Sequence, residues 1–322
     1  MLNPTRSWLL AAALIACASA PVLAQTYPAK PITFTVPFAA GSATDQLARA
    51  LGQSITAQTK QPVIVDNRAG ASGMMAAQTN AKAAPDGYNV LITTNTTHAA
   101  NEHLYKKLPY DPVKDFQPVT GLGKGGQVLV VRSDAAYKSV SDLLAKARKE
   151  PGKLSFGSGS SSSRVAGEMF KQLSSTDILH VPYKSNPLAI TDLLGGQIDM
   201  MITDTATGVP QIKGGKLRAL GVSTTHRIAL LPDVPTIDEA GVKGYDMGYW
   251  FAAYVPAGTP PAVVAQLRDL LIAGTKSPAT VAFFHDAGVE PWTTTPDGLA
   301  KFQAAETQKW GKVIKAAGIE AE

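Results

Sequence analysis

Two stretches of this chain carry residue types suited to holding an anion. The first runs from Phe34 to Arg49 and reads FTVPFAAGSATDQLAR. It is an apolar strand that breaks at Gly41 and restarts as a helix behind Ser42, Thr44 and Asp45. The second, LSFGSGSSSSR from Leu154 to Arg164, repeats the pattern of strand, glycine turn, hydroxyls and helix. A helix N-terminus carries unpaired N–H groups and a partial positive charge. Either side chains cap those groups or an anion sits on them. The candidate contacts are therefore Phe38, Ala40, Gly41, Ser42, Ala43 and Thr44 in the first loop. In the second they are Ser158, Gly159, Ser160, Ser161, Ser162, Ser163 and Arg164. One such loop is equally well explained by ordinary Ser or Thr capping. Its recurrence favours a shared anion, with Arg164 as a bidentate carboxylate donor. Further polar groups sit at the ends of other strands: Thr94 and Asn95 at the end of VLITT, Tyr183 after LHVP, and Asp204 after MMI. Ligands of open α/β sheets bind at such carboxyl ends. Asp204 also reads as a helix cap. Facing a ligand, it would favour an amino group and disfavour a third carboxylate.

Catalytic templates fail on the same residues. There is no G-x-S-x-G elbow, no Walker A motif and no H-E-x-x-H. GLGKGG at Gly121–Gly126 fits G-x-G-x-x-G, but a strand follows it instead of a helix, so a dinucleotide site is rejected. The five histidines, at 98, 103, 180, 226 and 285, show no metal-ligand spacing. No metal, cofactor or catalytic residue is expected. A hydrolase would need a base beside one of Ser158–Ser163, and the sequence offers no evident one.

The elements that must position these loops alternate. PITFTVPF, a helix with Leu47, Leu51 and Ile55 on one face, PVIVD, a helix near Met74–Lys82 and YNVLITT make a βαβαβ series. That order predicts a parallel sheet with right-handed crossovers. FQPVTGL and QVLVV then read as two β-rich runs split by Gly123, Gly125 and Gly126. A second α/β series follows, and YWFAAYVP is the last clear strand before the C-terminal helices. The predicted architecture is α/β with two lobes, each a mostly parallel sheet flanked by helices, joined by two crossings at a hinge. The crossings fall near Gly123–Gly126 and Gly248–Ala253. The expected parts are 1–24 as a signal peptide, 25–124 as the first part of lobe 1, 125–249 as lobe 2, and 250–322 as the return to lobe 1. A cleft between such lobes is a standard ligand site, and hinge closure is the usual motion.

Composition agrees with a globular chain: 322 residues, 45% apolar, 17% charged, formal charge +5. No run of five basic residues occurs, so nucleic acid is not an expected partner. Arg6, the short apolar stretch Trp8–Ala16 and Val22-Leu23-Ala24 form an export signal cleaved before Gln25. The competing reading is a lipid anchor at Cys17, the only cysteine, within Leu14-Ile15-Ala16-Cys17. Cleavage at Ala24 leaves no cysteine, which excludes a thiolate nucleophile or a disulfide. An exported, soluble, monomeric protein is expected.

Taken together, YPAKPITFTVPFAAGSATDQLAR, QPVIVDNRAGASG, AAPDGYNVL, LPYDPVKDFQPV, HVPYKSNPLAITDLLGGQID, GKLRALGVS, LPDVPTIDEAG and PAGTPPAVV span nearly the whole mature chain. They resemble the Bug family, the extracytoplasmic solute receptors of tripartite tricarboxylate transporters. The resemblance implies a type II-like periplasmic binding protein fold, a small carboxylate held between the lobes, and delivery to a membrane permease with no chemistry done on the solute. It implies that the loops matching Pro37–Asp45 and Ser158–Arg164 hold the ligand, largely through backbone amides and ordered water. Two places depart from the family pattern. The usual Gly-Gly of the first loop is Gly41-Ser42, and the second loop is Ser160–Ser163 followed by Arg164 in place of glycines and a histidine. Arg164 points to a ligand with a second carboxylate, aliphatic or aromatic. A periplasmic sensor subunit presenting the solute to a signalling partner would carry the same features.

Overall fold

A computed structural model describes residues 27–322; the expected cleavage site and Cys17 lie outside the described residues. The first α/β series is β1 (Ile32–Val36), α1 (Ala43–Thr59), β2 (Val63–Asn67), α2 (Met74–Ala81) and β3 (Asn89–Thr94). Strand β1 pairs in parallel with both β2 and β3. Helix α1 forms because its apolar stripe lands on the sheet: Leu47, Leu51 and Ile55 are all fully buried. Full burial of each such side chain is worth about 1.5–3 kcal/mol. After β3 the chain makes a π-helical turn, Thr96–Ala100, and one α-turn, Asn101–Leu104.

The two glycine-split β runs are one strand, β4 (Phe116–Arg132), 17 residues long. The glycines do not break it; they admit side chains from its neighbours. A Cβ on Gly125 would lie 2.5 Å from the Tyr249 ring and hydroxyl, so only glycine lets that aromatic pack flat on the strand. The second series is α3 (Val140–Lys149), β5 (Ser155–Ser158), α4 (Ser161–Ser174), β6 (Leu179–Pro182), α5 (Asn186–Leu194), β7 (Met200–Asp204), α6 (Thr205–Lys213) and β8 (Leu217–Val222). Strand β5 is parallel to β6 and β7. The chain then returns through β9 (Gly248–Pro256), α7 (Pro261–Thr275), α8 (Pro278–Ala287), β10 (Val289–Pro291) and α9 (Pro296–Ala316).

The strand order is β2-β1-β3-β9-β4-β7-β5-β6, with β8 and β10 also on β4. The first half of β4 pairs with β9 and its second half with β7 and β8. One strand thus belongs to both lobes of the α/β fold. One apolar cluster packs α1 and α7 on the first sheet through Phe34, Leu51 and Leu271. Another fills the second sheet through Val130, Leu193 and Met201. A third spans both halves, from Leu91 and Tyr254 to Phe156 and Phe170, so the lobes are packed together. Among the described residues no helix is long and apolar enough to cross a membrane.

Candidate functional site

The carboxyl ends of β1, β3, β5 and β7 converge on a small cavity. One wall is the start of α1. Ser42 caps it, its Oγ accepting the Asp45 N–H at 3.3 Å. Asp45 accepts from the Gly41 N–H at 2.9 Å and from Asn67 Nδ2 at 3.0 Å, and pairs with Arg49 at 3.0 Å. Burial alone would raise its pKa, but the bonds from Arg49, the Gly41 N–H and Asn67 hold it below the ordinary carboxylate value. With the cap and Asp45 so engaged, the N–H groups of Ala43 and Thr44 have no partner among the described residues.

The opposite wall is the start of α4. Ser160 and Ser163 form a reciprocal capping box, and Ser163 Oγ also accepts from the Gly159 N–H at 3.1 Å. Asn186 Oδ1, at the start of α5, accepts from that same N–H at 3.0 Å and from Ser163 Oγ at 3.1 Å. A Cβ on Gly159 would lie 1.9 Å from the Ser185 carbonyl carbon, so the two loops touch backbone to backbone. The N–H groups of Ser161 and Ser162 again have no partner among the described residues.

The third side is the cap of α6. Asp204 Oδ1 accepts from the Thr207 N–H at 2.8 Å, and Oδ2 accepts from Asn186 Nδ2 at 2.7 Å. Tyr249 and Phe251 form the apolar floor. Burial first, and the Asp204 charge second, push the Tyr249 hydroxyl above its ordinary pKa.

Of the residues expected from sequence, Phe38, Ser42, Ala43, Thr44, Thr94, Gly159, Ser160, Ser162 and Asp204 line this cavity. Others stand behind it. Ala40 and Gly41 lie in the turn before α1 and do not line the cavity, and Ser163 is turned into the Asn186 network. Asn95 Nδ2 donates to Ser162 Oγ at 2.9 Å, and Ser161 Oγ donates to Asn101 Oδ1 at 2.7 Å, so these groups join the lobes beside the cavity. Tyr183 donates to Asp192 at 2.8 Å, away from the cavity. Arg164 does not line the cavity either: its guanidinium pairs with Glu322, whose backbone is hydrogen-bonded to Leu104 and Lys106. The C-terminus, unreadable as a partner in the sequence, draws this cation outward. Ser158 has a base after all, since His180 Nε2 lies 2.7 Å from its Oγ. Burial, reinforced by the Arg164 charge, lowers the His180 pKa to about 4. Neither residue lines the cavity, and no carboxylate orients the ring among the described residues.

Sequence reasoning missed Gln127, Asn186, Tyr249 and Phe251. Gln127 had a signal, as a lone polar residue heading the apolar run QVLVV. Tyr249 and Phe251 alternate on one face of β9, which only the neighbouring strands identify as the cavity side.

Residues 47–319 match the family described as "Tripartite tricarboxylate transporter family receptor". The chain is 34% identical to protein BugT of Bordetella pertussis over 98% of its own length and 99% of that protein. It is similar to R. palustris Rpa4515, solved with adipate: 34% identity, TM-score 0.88, covering 92% of this chain and all of that one. It is also similar to MatC (Rpa3494) from Rhodopseudomonas palustris, solved with bound malate: 29% identity, TM-score 0.84, covering 89% of this chain and all of that one.

Proposed function

Since the chain belongs to the Bug family of tripartite tricarboxylate transporter receptors, we propose that it is a periplasmic receptor that binds a small carboxylate between its lobes and delivers it to a membrane permease. The observation that carries this reading is the pair of helix starts at the cavity. Among the described residues, Ala43 and Thr44 on one side, and Ser161 and Ser162 on the other, hold N–H groups without partners, and no Lys, Arg or His lines the cavity. Such N–H groups, with the two helix dipoles, attract an anion without any cationic side chain. The carboxylates held by Rpa4515 and MatC support the same ligand class. The lobes are taken as 25–124 with 250–322, and 125–249, with export by the signal segment before Gln25 and a monomeric receptor as the working unit. The solute leaves unchanged: the Ser158–His180 pair lies outside the cavity.

Thermal shift of the mature chain against mono-, di- and tricarboxylates and amino acids tests this. A true ligand at about 100 times its Kd should stabilise the fold by roughly 2.7 kcal/mol. Silence from every carboxylate, or turnover of a bound one, would sink the reading.

A further inference from the structure

With the lobes divided as proposed, one ion pair among the described residues joins them: Arg164 to Glu322, at 2.5 Å. Every other pair closes within one lobe. Arg164 stands on the first turn of α4, at the end of the serine loop. Its side chain is 19% exposed, and its Nε is buried without a partner among the described residues. Glu322 thus answers a guanidinium held largely out of water. The backbone of Glu322 is pinned to lobe 1. Helix α9 ends before Gly318, whose φ of +67° is the left-handed turn that glycine adopts freely. Ile319 then packs on the apolar cluster that spans both lobes. The Glu322 N–H donates to the Leu104 C=O at 3.0 Å, and the Glu322 C=O accepts the Lys106 N–H at 2.8 Å. The tail after α9 is therefore fixed along 104–106 and sends one carboxylate to the other lobe. The same side of lobe 1 carries Asn95 and Asn101, which bond Ser162 and Ser161. Three contacts thus join the serine loop and its helix to lobe 1, and Arg164–Glu322 is the charged one.

We propose that the Arg164–Glu322 pair is a latch: the tail after α9 holds the two lobes together before any ligand arrives, and so sets how often the serine loop parts from lobe 1. This goes beyond the receptor reading and shares with it only the division into lobes. A charge pair suits the task. Its attraction falls off gradually with distance, whereas a hydrogen bond needs near contact. The pair therefore draws the lobes over the last few ångströms, before the two hydroxyl bonds form. It is also weak, because the Glu322 side chain is 58% exposed and water competes for it. The latch biases closure without locking a solute in. Because it acts on closure and not on the solute, losing it weakens every ligand by the same factor and leaves their order unchanged.

The test is hydrogen exchange of the unliganded chain, wild type against Glu322→Gln. Ser161 and Ser162 are buried, yet their N–H groups have no partner among the described residues, so burial between the lobes is what shields them. Glu322→Gln should speed exchange in two segments together, Asn95–Asn101 of lobe 1 and Ser158–Arg164 of lobe 2. The expected factor is up to about fivefold, the shift in an opening equilibrium from losing a partly exposed ion pair. Arg164→Glu sets two carboxylates against each other and should speed both segments further. Arg164→Glu combined with Glu322→Arg rebuilds the pair in reverse and should bring both segments back toward the wild-type rate. Unchanged exchange in those segments, or faster exchange only at Leu104–Lys106 and in the tail, would mean that Glu322 fixes its own segment alone, and overturns the latch. So does a reversed pair that exchanges as fast as Arg164→Glu by itself. The carboxylate reading is decided by its own thermal-shift screen, so the two fail separately.

Discussion

Gly159 and Gly41 occupy equivalent places in the two loops, and the same substitution should have opposite consequences. At Gly159 an added Cβ would meet Ser185 C at 1.9 Å, Asn186 N at 2.1 Å and Ser185 O at 2.3 Å. All three are backbone atoms, so no side chain can rotate away. The start of α5 must move by more than an ångström, breaking the 3.0 Å bond from the Gly159 N–H to Asn186 and the bond from Ser163 to the same oxygen. Overpacking costs about 1–3 kcal/mol and more where the backbone must shift. Two displaced buried hydrogen bonds add about 1 kcal/mol each. Gly159→Ala should therefore lose at least ~3 kcal/mol and take Asn186, with its bond to Asp204, out of the cavity. At Gly41, φ is +81° and nothing lies within 4 Å of an added Cβ. Gly41→Ala should cost only the left-handed conformation, about 1–2 kcal/mol. Urea unfolding of both variants, with the titration of the best carboxylate, is the assay. A Gly159→Ala protein as stable as Gly41→Ala would refute the backbone contact on which the second loop is built.

Three further outcomes are expected. Arg164→Ala should lower stability by less than about 1 kcal/mol, as for a partly exposed ion pair, and change affinity equally for a monoacid and its diacid; a loss confined to the diacid would put Arg164 on the ligand. Ser162→Ala strands the Asn95 amide, whose Oδ1 is already unpaired; at ~1 kcal/mol or more, ligand affinity should drop several-fold, and unchanged affinity would remove Ser162 from closure. Burial lowers the His98 pKa from 6.5 to about 3, so the unfolded chain takes up a proton below pH 6.5 that the native state refuses. Stability should fall as pH drops, by about 2 kcal/mol from this group between pH 7.5 and 5, and His98→Gln should flatten that slope in urea unfolding at several pH values; an unchanged slope would refute the assignment.

The parts of the site legible in the sequence were those set by local rules. Ser42, Ser160 and Asp204 cap the helices that follow them, and the caps were visible as hydroxyls or a carboxylate ahead of apolar periodicity. The stripe of Leu47, Leu51 and Ile55 fixed the packed face of α1 in the same way. What could not be read depended on partners distant in the chain. β4 looked like two strands because glycine is a breaker in isolation, and only Tyr249 shows why Gly125 is glycine. Arg164 looked like a ligand contact because its partner is Glu322, 158 residues away. Gln127 and Asn186 reach the cavity through pairing with β7 and through contact with the second loop, neither of which leaves a local pattern.

The division of labour within the serine loop explains how closure and binding can be one event. Ser160 and Ser163 face inward and complete the capping box, so the helix start is stable without a ligand. Ser161 and Ser162 send their hydroxyls across to Asn101 and Asn95 on the other lobe, while their own N–H groups stay unpaired. These neutral hydrogen bonds are worth about 1 kcal/mol each, too little to hold two lobes shut alone. An anion that also meets the N–H groups of Ala43 and Thr44 touches both helix starts only when the lobes are together. A ligand shifts an equilibrium only by its differential affinity for the two states. On the proposed function that difference is one whole helix start, because parted lobes would offer the anion only one of the two.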